Sequence, residues 1–177
     1  MPGAFAKKVP GYMITPASDS VFMTFNISFG YFAGSNDYGK WQTVESTDGS
    51  GHTQTYDSSL MKEYGYTYKE KLYKFRLKPT QKKGIIFLKV LQEGKRATLY
   101  EYSQSGYKTV DDFYSFEKPD GSLLFLKSVD RLQTFRDRLA AFYGDTPAFI
   151  DFIKNKFARR GRIRDDVKTM MDFLNKE

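Results

Sequence analysis

Cysteine is absent from the 177-residue chain, and histidine occurs once, at His52. Without thiols there is no disulfide framework, thiolate nucleophile, iron–sulfur cluster or thiolate zinc site. With one imidazole, a zinc site needs carboxylates for its other ligands, and a Ser-His-Asp triad has to use this residue. His52 closes the string Asp48-Gly49-Ser50-Gly51-His52, which reads as an exposed turn between strands. No apolar run approaches the roughly 18 residues that a membrane-spanning helix needs. There is no internal repeat and no low-complexity linker, and nothing in the composition calls for a cofactor.

What is present is aromatic and basic. Aromatic residues make up 17% of the chain, and 28 Lys and Arg stand against 21 Asp and Glu, a formal charge of +7. That sign suits an anionic polymer or surface as partner. The excess is spread: residues 1–127 carry 17 basic and 13 acidic groups, and residues 128–177 carry 11 and 8. Only Lys154 to Arg164 is concentrated, with Lys154, Lys156, Arg159, Arg160, Arg162 and Arg164 and no acid among them.

Residues 11–127 read as antiparallel strands and turns, about eight or nine short strands in a sheet or partly open barrel. In Val21 to Phe29 the apolar Val21, Met23, Phe25, Ile27 and Phe29 alternate with a mostly polar set, as a strand covering a core on one side requires. Gly11-Tyr12-Met13-Ile14-Thr15 forms a hairpin with it across Pro16 to Ser20. Trp41 to Val44 and Thr53 to Tyr56 flank the Asp48 turn. Tyr64, Tyr66 and Tyr68 alternate, and Leu72 to Leu77 follows. Ile85 to Leu91 turns at Gln92-Glu93-Gly94-Lys95 and returns as Arg96 to Tyr102. Val110 to Phe116 turns at Lys118-Pro119-Asp120-Gly121, where Pro sets φ at the first corner and Gly takes the left-handed position.

The period then changes to 3.6 residues, and three short helices packed on the sheet are expected. Ser128 caps the first, which carries Leu132, Phe135, Leu139 and Phe142 and stops at Gly144. Thr146-Pro147 opens the second, with Phe149, Ile150, Ile153 and Phe157, ending at Gly161. Ile163, Val167, Met170, Met171 and Leu174 mark the third. This organisation is a flexible stretch at residues 1–10, a β-rich part at 11–127 and a helical part at 128–177, the last two in one cooperative α+β unit.

Few motifs carry chemistry. Gly34-Ser35-Asn36-Asp37-Tyr38-Gly39-Lys40 fits a phosphate loop for seven positions, but Trp41 stands where Mg²⁺ needs Ser or Thr, so a polar loop is expected. Asp111 and Asp112 are strand neighbours pointing to opposite faces, and Asp165 and Asp166 open a helix, where acids suit the dipole. A carboxylate-dependent hydrolase then requires distant acids to converge. Tyr56, Tyr64, Tyr66, Tyr68 and Tyr73, clustered with Lys62, Lys69, Lys71 and Lys74, have the composition of a stacking platform for sugars or bases, and more readily that of a sheet packing face. Lys156, Arg159, Arg160, Arg162 and Arg164 form the candidate polyanion contact, which has its own structural explanation as cations near a helix end.

The string Phe87 to Tyr100, the opening Gly11-Tyr12-Met13-Ile14-Thr15 with Ser18-Asp19-Ser20, and the closing Phe142-Tyr143-Gly144-Asp145-Thr146-Pro147 and Phe173-Leu174-Asn175 together resemble an uncharacterised family of exported proteins of Bacteroidetes-type bacteria. Ser18 stands where that family usually has Gly. The resemblance implies a periplasmic or cell-envelope location, which agrees with a separate reading of Ala4-Phe5-Ala6, before Lys7-Lys8, as the small-x-small end of a secretory signal cut after Ala6 with an apolar segment upstream; a cytoplasmic protein with an ordinary N-terminus is the alternative. It implies no activity and no site residue. The expected function is therefore a non-enzymatic binding or structural module, with polyanion binding second and hydrolysis third.

Overall fold

The structure, a computed structural model, describes residues 5–29, 43–48, 50–80, 84–105, 110–127, 132–156 and 163–176; for residues 5, 6, 28, 29, 103–105, 110–112, 132, 156 and 163–165 it describes the backbone alone. These residues form β1 (Phe5–Ile14), β2 (Ser20–Phe29), β3 (Thr43–Thr47), β4 (Thr53–Asp57), β5 (Glu63–Tyr68), β6 (Lys71–Thr80), β7 (Gly84–Glu93), β8 (Thr98–Ser105), β9 (Val110–Glu117), β10 (Leu123–Lys127), α1 (Leu132–Phe142), α2 (Pro147–Lys156) and α3 (Ile163–Lys176). The fold class is α+β with antiparallel pairing, in ten strands where eight or nine were expected. The chain clusters into two compact units, Met1–Val90 and Leu91–Glu177, dividing inside β7. The change of period at 127/128 is therefore a change of secondary structure within the second unit, where β8, β9 and β10 keep company with the helices.

In the first unit the strands run β7-β6-β5-β1-β2-β3-β4, an open sheet with no closure into a barrel. Strand β1 begins at Phe5, six residues before the expected start, because all ten of its residues pair with β2 and Val9 is buried in the core. Residues 5–10 are thus strand, and Phe5 and Ala6 of the supposed cleavage segment sit opposite Phe29 and Ser28. One sheet face buries Val9, Met13, Phe25, Ile27, Tyr64, Tyr66, Phe75 and Phe87 together with Val44 and Met61. The alternation read in β2 holds for Phe25 and Ile27, whereas Val21, at the hairpin end, is exposed. On the other face Tyr12 donates to Glu63 Oε1 at 2.9 Å, and Arg76 Nη2 meets Glu63 Oε2 at 2.8 Å, tying β1, β5 and β6.

Two positions in the first hairpin are set by backbone geometry. Gly11 lies so close to β5 that an added Cβ would stand 2.3 Å from the Gly65 carbonyl oxygen and 2.7 Å from the Phe25 ring. Ser18 closes a tight turn by donating its N–H to the Thr15 carbonyl at 2.9 Å, with φ at +74°, in the left-handed region.

The second unit stacks helices on the strands β8, β9 and β10, which lie in that order. Its core joins Leu99, Tyr114, Phe116 and Leu126 of the strands to Phe135, Leu139 and Tyr143, Phe149 and Ile153, and Val167, Met170, Met171 and Leu174. The expected 3.6-residue faces are there, except that Tyr143 rather than Phe142 is the buried residue at the end of the first. The Ser128 cap, Phe157 and Gly161 lie outside the described residues. Phe149 is wholly buried, and truncating such a side chain to Ala costs about 3–5 kcal/mol. Strand β8 starts at Thr98 instead of Arg96 because the chain there is held by α3: Asn175 Oδ1 accepts from the N–H groups of Arg96 and Ala97 at 3.0 and 3.1 Å, and its Nδ2 donates to the Ala97 carbonyl.

Opposite effects are expected at the two hairpin positions. Ser18→Gly relieves the left-handed strain and stabilises the chain by about 1 kcal/mol. Gly11→Ala forces β1 away from β5 and destabilises it by about 2–3 kcal/mol. Urea unfolding of the two variants against the parent checks both signs.

Candidate functional site

The tyrosines read as a stacking platform divide between two environments. Tyr64 and Tyr66 are 3% and 2% exposed; Tyr64 stacks on Phe75 at 4.7 Å and Tyr66 on Tyr73 at 5.2 Å, so both rings are core and present no open face. Tyr68, the last residue of β5, and Tyr73 of β6 are half-buried among cations. Lys7 and Lys69 lie 5.4 and 5.6 Å from the Tyr68 ring, and Lys71 and Lys89 lie 5.3 and 5.2 Å from the Tyr73 ring. Of the basic run, Lys154 is exposed on α2, and Lys156 and Arg164 fall in α2 and α3 with backbone alone described. Arg159, Arg160 and Arg162 lie outside the described residues, as do the phosphate-loop-like string 34–40 and Trp41.

His52 does share its turn with a serine and an aspartate. Ser50 Oγ lies 2.7 Å from Asp48 Oδ1 and 2.8 Å from His52 Nδ1. The serine proton goes to the carboxylate, and Asp48 is only 3.6 Å from that same ring nitrogen. A triad needs the opposite wiring, with serine on one ring nitrogen and the acid on the other. The arrangement is a turn device that recurs: in Asp48-x-Ser50, Asp57-x-Ser59 and Asp120-x-Ser122 the carboxylate accepts from both the N–H and the hydroxyl of the serine two residues on. Those serine hydroxyls, as the largest cause, hold all three carboxyls below the usual Asp range. A general acid requires a shift the other way. Among the described residues no three His, Cys, Asp or Glu side chains gather as a metal-holding group.

The second unit contains a cavity of about 360 Å³ lined by Arg96, Lys118, Pro119, Tyr143, Asp145, Thr146 and Leu174. Four pieces of local structure bring these residues together. Arg96 comes from the turn that Asn175 holds, and Leu174 from α3 beside it. Lys118 and Pro119 come from the β9–β10 turn, closed by the Gly121 N–H on the Lys118 carbonyl at 3.0 Å, with Gly121 at φ +85° as expected of the Pro-Asp-Gly sequence. Tyr143, Asp145 and Thr146 form the α1–α2 connection. Tyr143 prolongs the helical bonding of α1 through its N–H to Leu139, and the Thr146 carbonyl caps α2 by accepting from Phe149 and Ile150 at 3.0 and 3.2 Å.

Tyr143 is 3% exposed, and its ring makes edge contacts with Phe142 and Phe149 at 4.9 and 5.2 Å. Its hydroxyl is buried without a hydrogen-bond partner. Leaving such a group unmet costs about 1–3 kcal/mol, so its retention needs a reason. Burial, and secondly the nearby Asp145 charge, push its pKa far above the usual phenol value, so the hydroxyl stays a proton donor. Lys118 is held over the Phe142 and Tyr143 rings at 5.0 and 5.4 Å and reaches Asp145 Oδ1 at 3.5 Å. The Asp145 side chain is 73% exposed, so this ion pair is a weak one. The described lining of the cavity thus sets two basic side chains and one exposed carboxylate against apolar walls from Pro119, Leu174 and Tyr143, whose hydroxyl is buried.

Sequence reading missed the cavity. Its residues are scattered from 96 to 174, and the string Phe142 to Pro147 drew notice only as helix boundaries and as part of a resemblance. No family model, curated protein or solved structure matches this chain.

The buried phenol makes stability sensitive to alkali. Its folded pKa is raised above the unfolded value of about 10, so its contribution is intact below that pH and is lost as pH climbs above it. Between about pH 10 and 11 the parent is expected to lose more stability than Tyr143→Phe, measured by urea unfolding. Equal losses would contradict a buried, neutral Tyr143.

Proposed function

We propose that the chain is a non-catalytic binding module whose second unit takes a small ligand bearing an acceptor group in the cavity between the α1–α2 connection and the β9–β10 turn. The observation that carries this reading is the cavity of about 360 Å³, which sets Arg96, Lys118, Asp145 and Thr146 against apolar walls and has among its lining residues Tyr143, whose hydroxyl is buried and unmet by the protein. A phenylalanine there would pack equally well and avoid the desolvation cost, and a ligand that meets the hydroxyl has to displace part of its cover. Glycoside hydrolysis uses two carboxylates, and among the described residues the cavity lining includes one, Asp145, which favours the binding reading. An exported location, which the resemblance suggests, belongs to this proposal, and the N-terminal sequence of the protein from its native cell tests it.

The expected signature is a trade of stability for binding. Tyr143→Phe raises the unfolding free energy of the unliganded chain by about 1 kcal/mol, because it removes an unmet buried hydroxyl. A screen of small acids, amides and alcohols by amide NMR should perturb Arg96, Lys118 and Thr146 in the parent, with smaller shifts in the variant. A variant no more stable than the parent would remove the argument for the site.

The lysines around Tyr68 and Tyr73 favour a second reading, contact with an anionic polymer by the first unit. Ammonium groups already cover those ring faces, so charge rather than stacking would govern it. Heparin binding at about 50 mM salt is then expected to weaken steeply with added salt. It should also fall in a variant with Lys7, Lys69, Lys71 and Lys89 changed to Ala, and changing Arg159, Arg160 and Arg162 to Ala should leave it unaltered. No binding, or binding lost only with the arginines, would reject the lysine surface.

A further inference from the structure

We infer that the lysines around Tyr68 and Tyr73 form a track for a single chain of anionic polysaccharide, laid across strands β1, β5, β6 and β7, and that Lys69 keeps a strained turn for the sake of that contact. The inference rests on the second reading above, contact of the first unit with an anionic polymer, and adds which polymer and along which line.

Strand alternation sets the line. Lys7, Tyr68, Tyr73 and Lys89 each stand two residues from a buried member of the first unit's core, namely Val9, Tyr66, Phe75 and Phe87, and Lys71 stands two from Tyr73. All five therefore belong to the face that carries that core. Strands β1, β5, β6 and β7 are neighbours, so the row crosses three strand spacings, about 14 Å. It lies at the β5–β6 hairpin end, where Tyr68 pairs with Lys71 and Lys7 Nζ donates to the Tyr68 hydroxyl at 3.4 Å. Lys7, Lys69 and Lys71 are exposed, and among the described residues no carboxylate lies within ion-pair distance of them. An anionic chain is the charge complement of such a row.

The turn itself argues for use. Lys69 and Glu70 are its two central residues, at φ +48° and +62°, both in the left-handed region. A two-residue hairpin of this kind favours Asn-Gly, which reaches those angles without the Cβ conflict that Lys and Glu meet. Lys69 is thus held against local preference, with its ammonium 5.6 Å from the Tyr68 ring and that of Lys7 at 5.4 Å from the same ring.

The rings select the polymer. Tyr73 stacks on Tyr66 and carries Lys71 and Lys89, and Tyr68 carries Lys7 and Lys69, so ammonium groups stand where a base would stack. Single-stranded nucleic acid draws much of its affinity from such stacking and loses it here. A duplex would touch this face along one line of phosphates and gain nothing from its grooves. The cations of the row are all lysine, mobile point charges without the planar fork that matches phosphate geometry. Sulfate and carboxylate groups set along a sugar chain need only point charges, and a sugar unit is close in length to one strand spacing.

The test titrates the whole chain calorimetrically with a heparin oligosaccharide, with an oligothymidylate of equal charge and with vesicles containing anionic phospholipid. At about 100 mM salt heparin is expected to bind at least about threefold more tightly than the oligothymidylate. Lys71→Ala should lower the slope of log K against log salt by about one, which a purely structural lysine would not do. Lys69→Asn combined with Glu70→Gly leaves the net charge unchanged, so general attraction alone predicts no effect. The expected results are a higher urea midpoint and heparin binding weaker by at least about threefold. Glu70→Gly alone should raise the midpoint without weakening heparin. Oligothymidylate or vesicles bound as tightly as heparin would overturn the choice of polysaccharide, and a double variant that binds heparin like the parent, or unfolds at lower urea, would overturn the role of the turn; both leave an anionic-polymer surface in place. No binding of any of the three at about 50 mM salt would count against that surface itself.

Discussion

A phenol is buried in the second unit where a benzene ring would serve packing better, and the account of this protein depends on that constraint. The Tyr143 ring belongs to the core formed by Leu139, Phe149 and Leu174, and that apolar contact is what stabilises it. Its hydroxyl opposes burial, by about 1–3 kcal/mol while unmet. A domain stable by only 5–15 kcal/mol, the usual range, carries such a term as a noticeable fraction. The same ring fixes Lys118 from beneath, and the turn that follows it supplies Asp145 and the Thr146 cap of α2. One residue thus links core packing, the charge arrangement and the entry of the next helix.

Magnitudes decide why the cavity outranks the other candidates. The lysines around Tyr68 and Tyr73 are partly solvated, and exposed cation–ring contacts are worth about 0.5–1 kcal/mol. The Asp-x-Ser turns are local and fully solvated, so their depressed carboxyl pKa values describe turn formation. At Tyr143 burial, an unmet donor, nearby cations and a cavity coincide, and burial makes the unmet hydroxyl costly there.

The strands were legible because alternation and turn chemistry are local. Phe25 and Ile27 follow the period of two, and Pro119-Asp120-Gly121 folds as its composition demands. The helices were legible for the same reason, with Thr146-Pro147 marking the start of α2. Errors arose where distant residues intervene. Strand β1 extends back to Phe5 because β2 pairs with it throughout, and β8 begins late because Asn175, 78 residues from Ala97, holds the preceding turn. At the end of α1 the spacings i+3 and i+4 from Leu139 both reach an aromatic, and nothing local says that Tyr143 goes inward while Phe142 lies under Lys118. The cavity was illegible because Arg96, Lys118 and Tyr143 meet only through the packing of two turns and a helix connection. Tyr64 and Tyr66 show the reverse case, a conspicuous pattern whose residues are core.

The most direct measurement is amide NMR of the whole chain titrated with small acids, amides and alcohols. The account predicts shifts concentrated at Arg96, Lys118 and Thr146 and reduced in Tyr143→Phe. No shifts at those residues, or shifts unchanged in the variant, would contradict it.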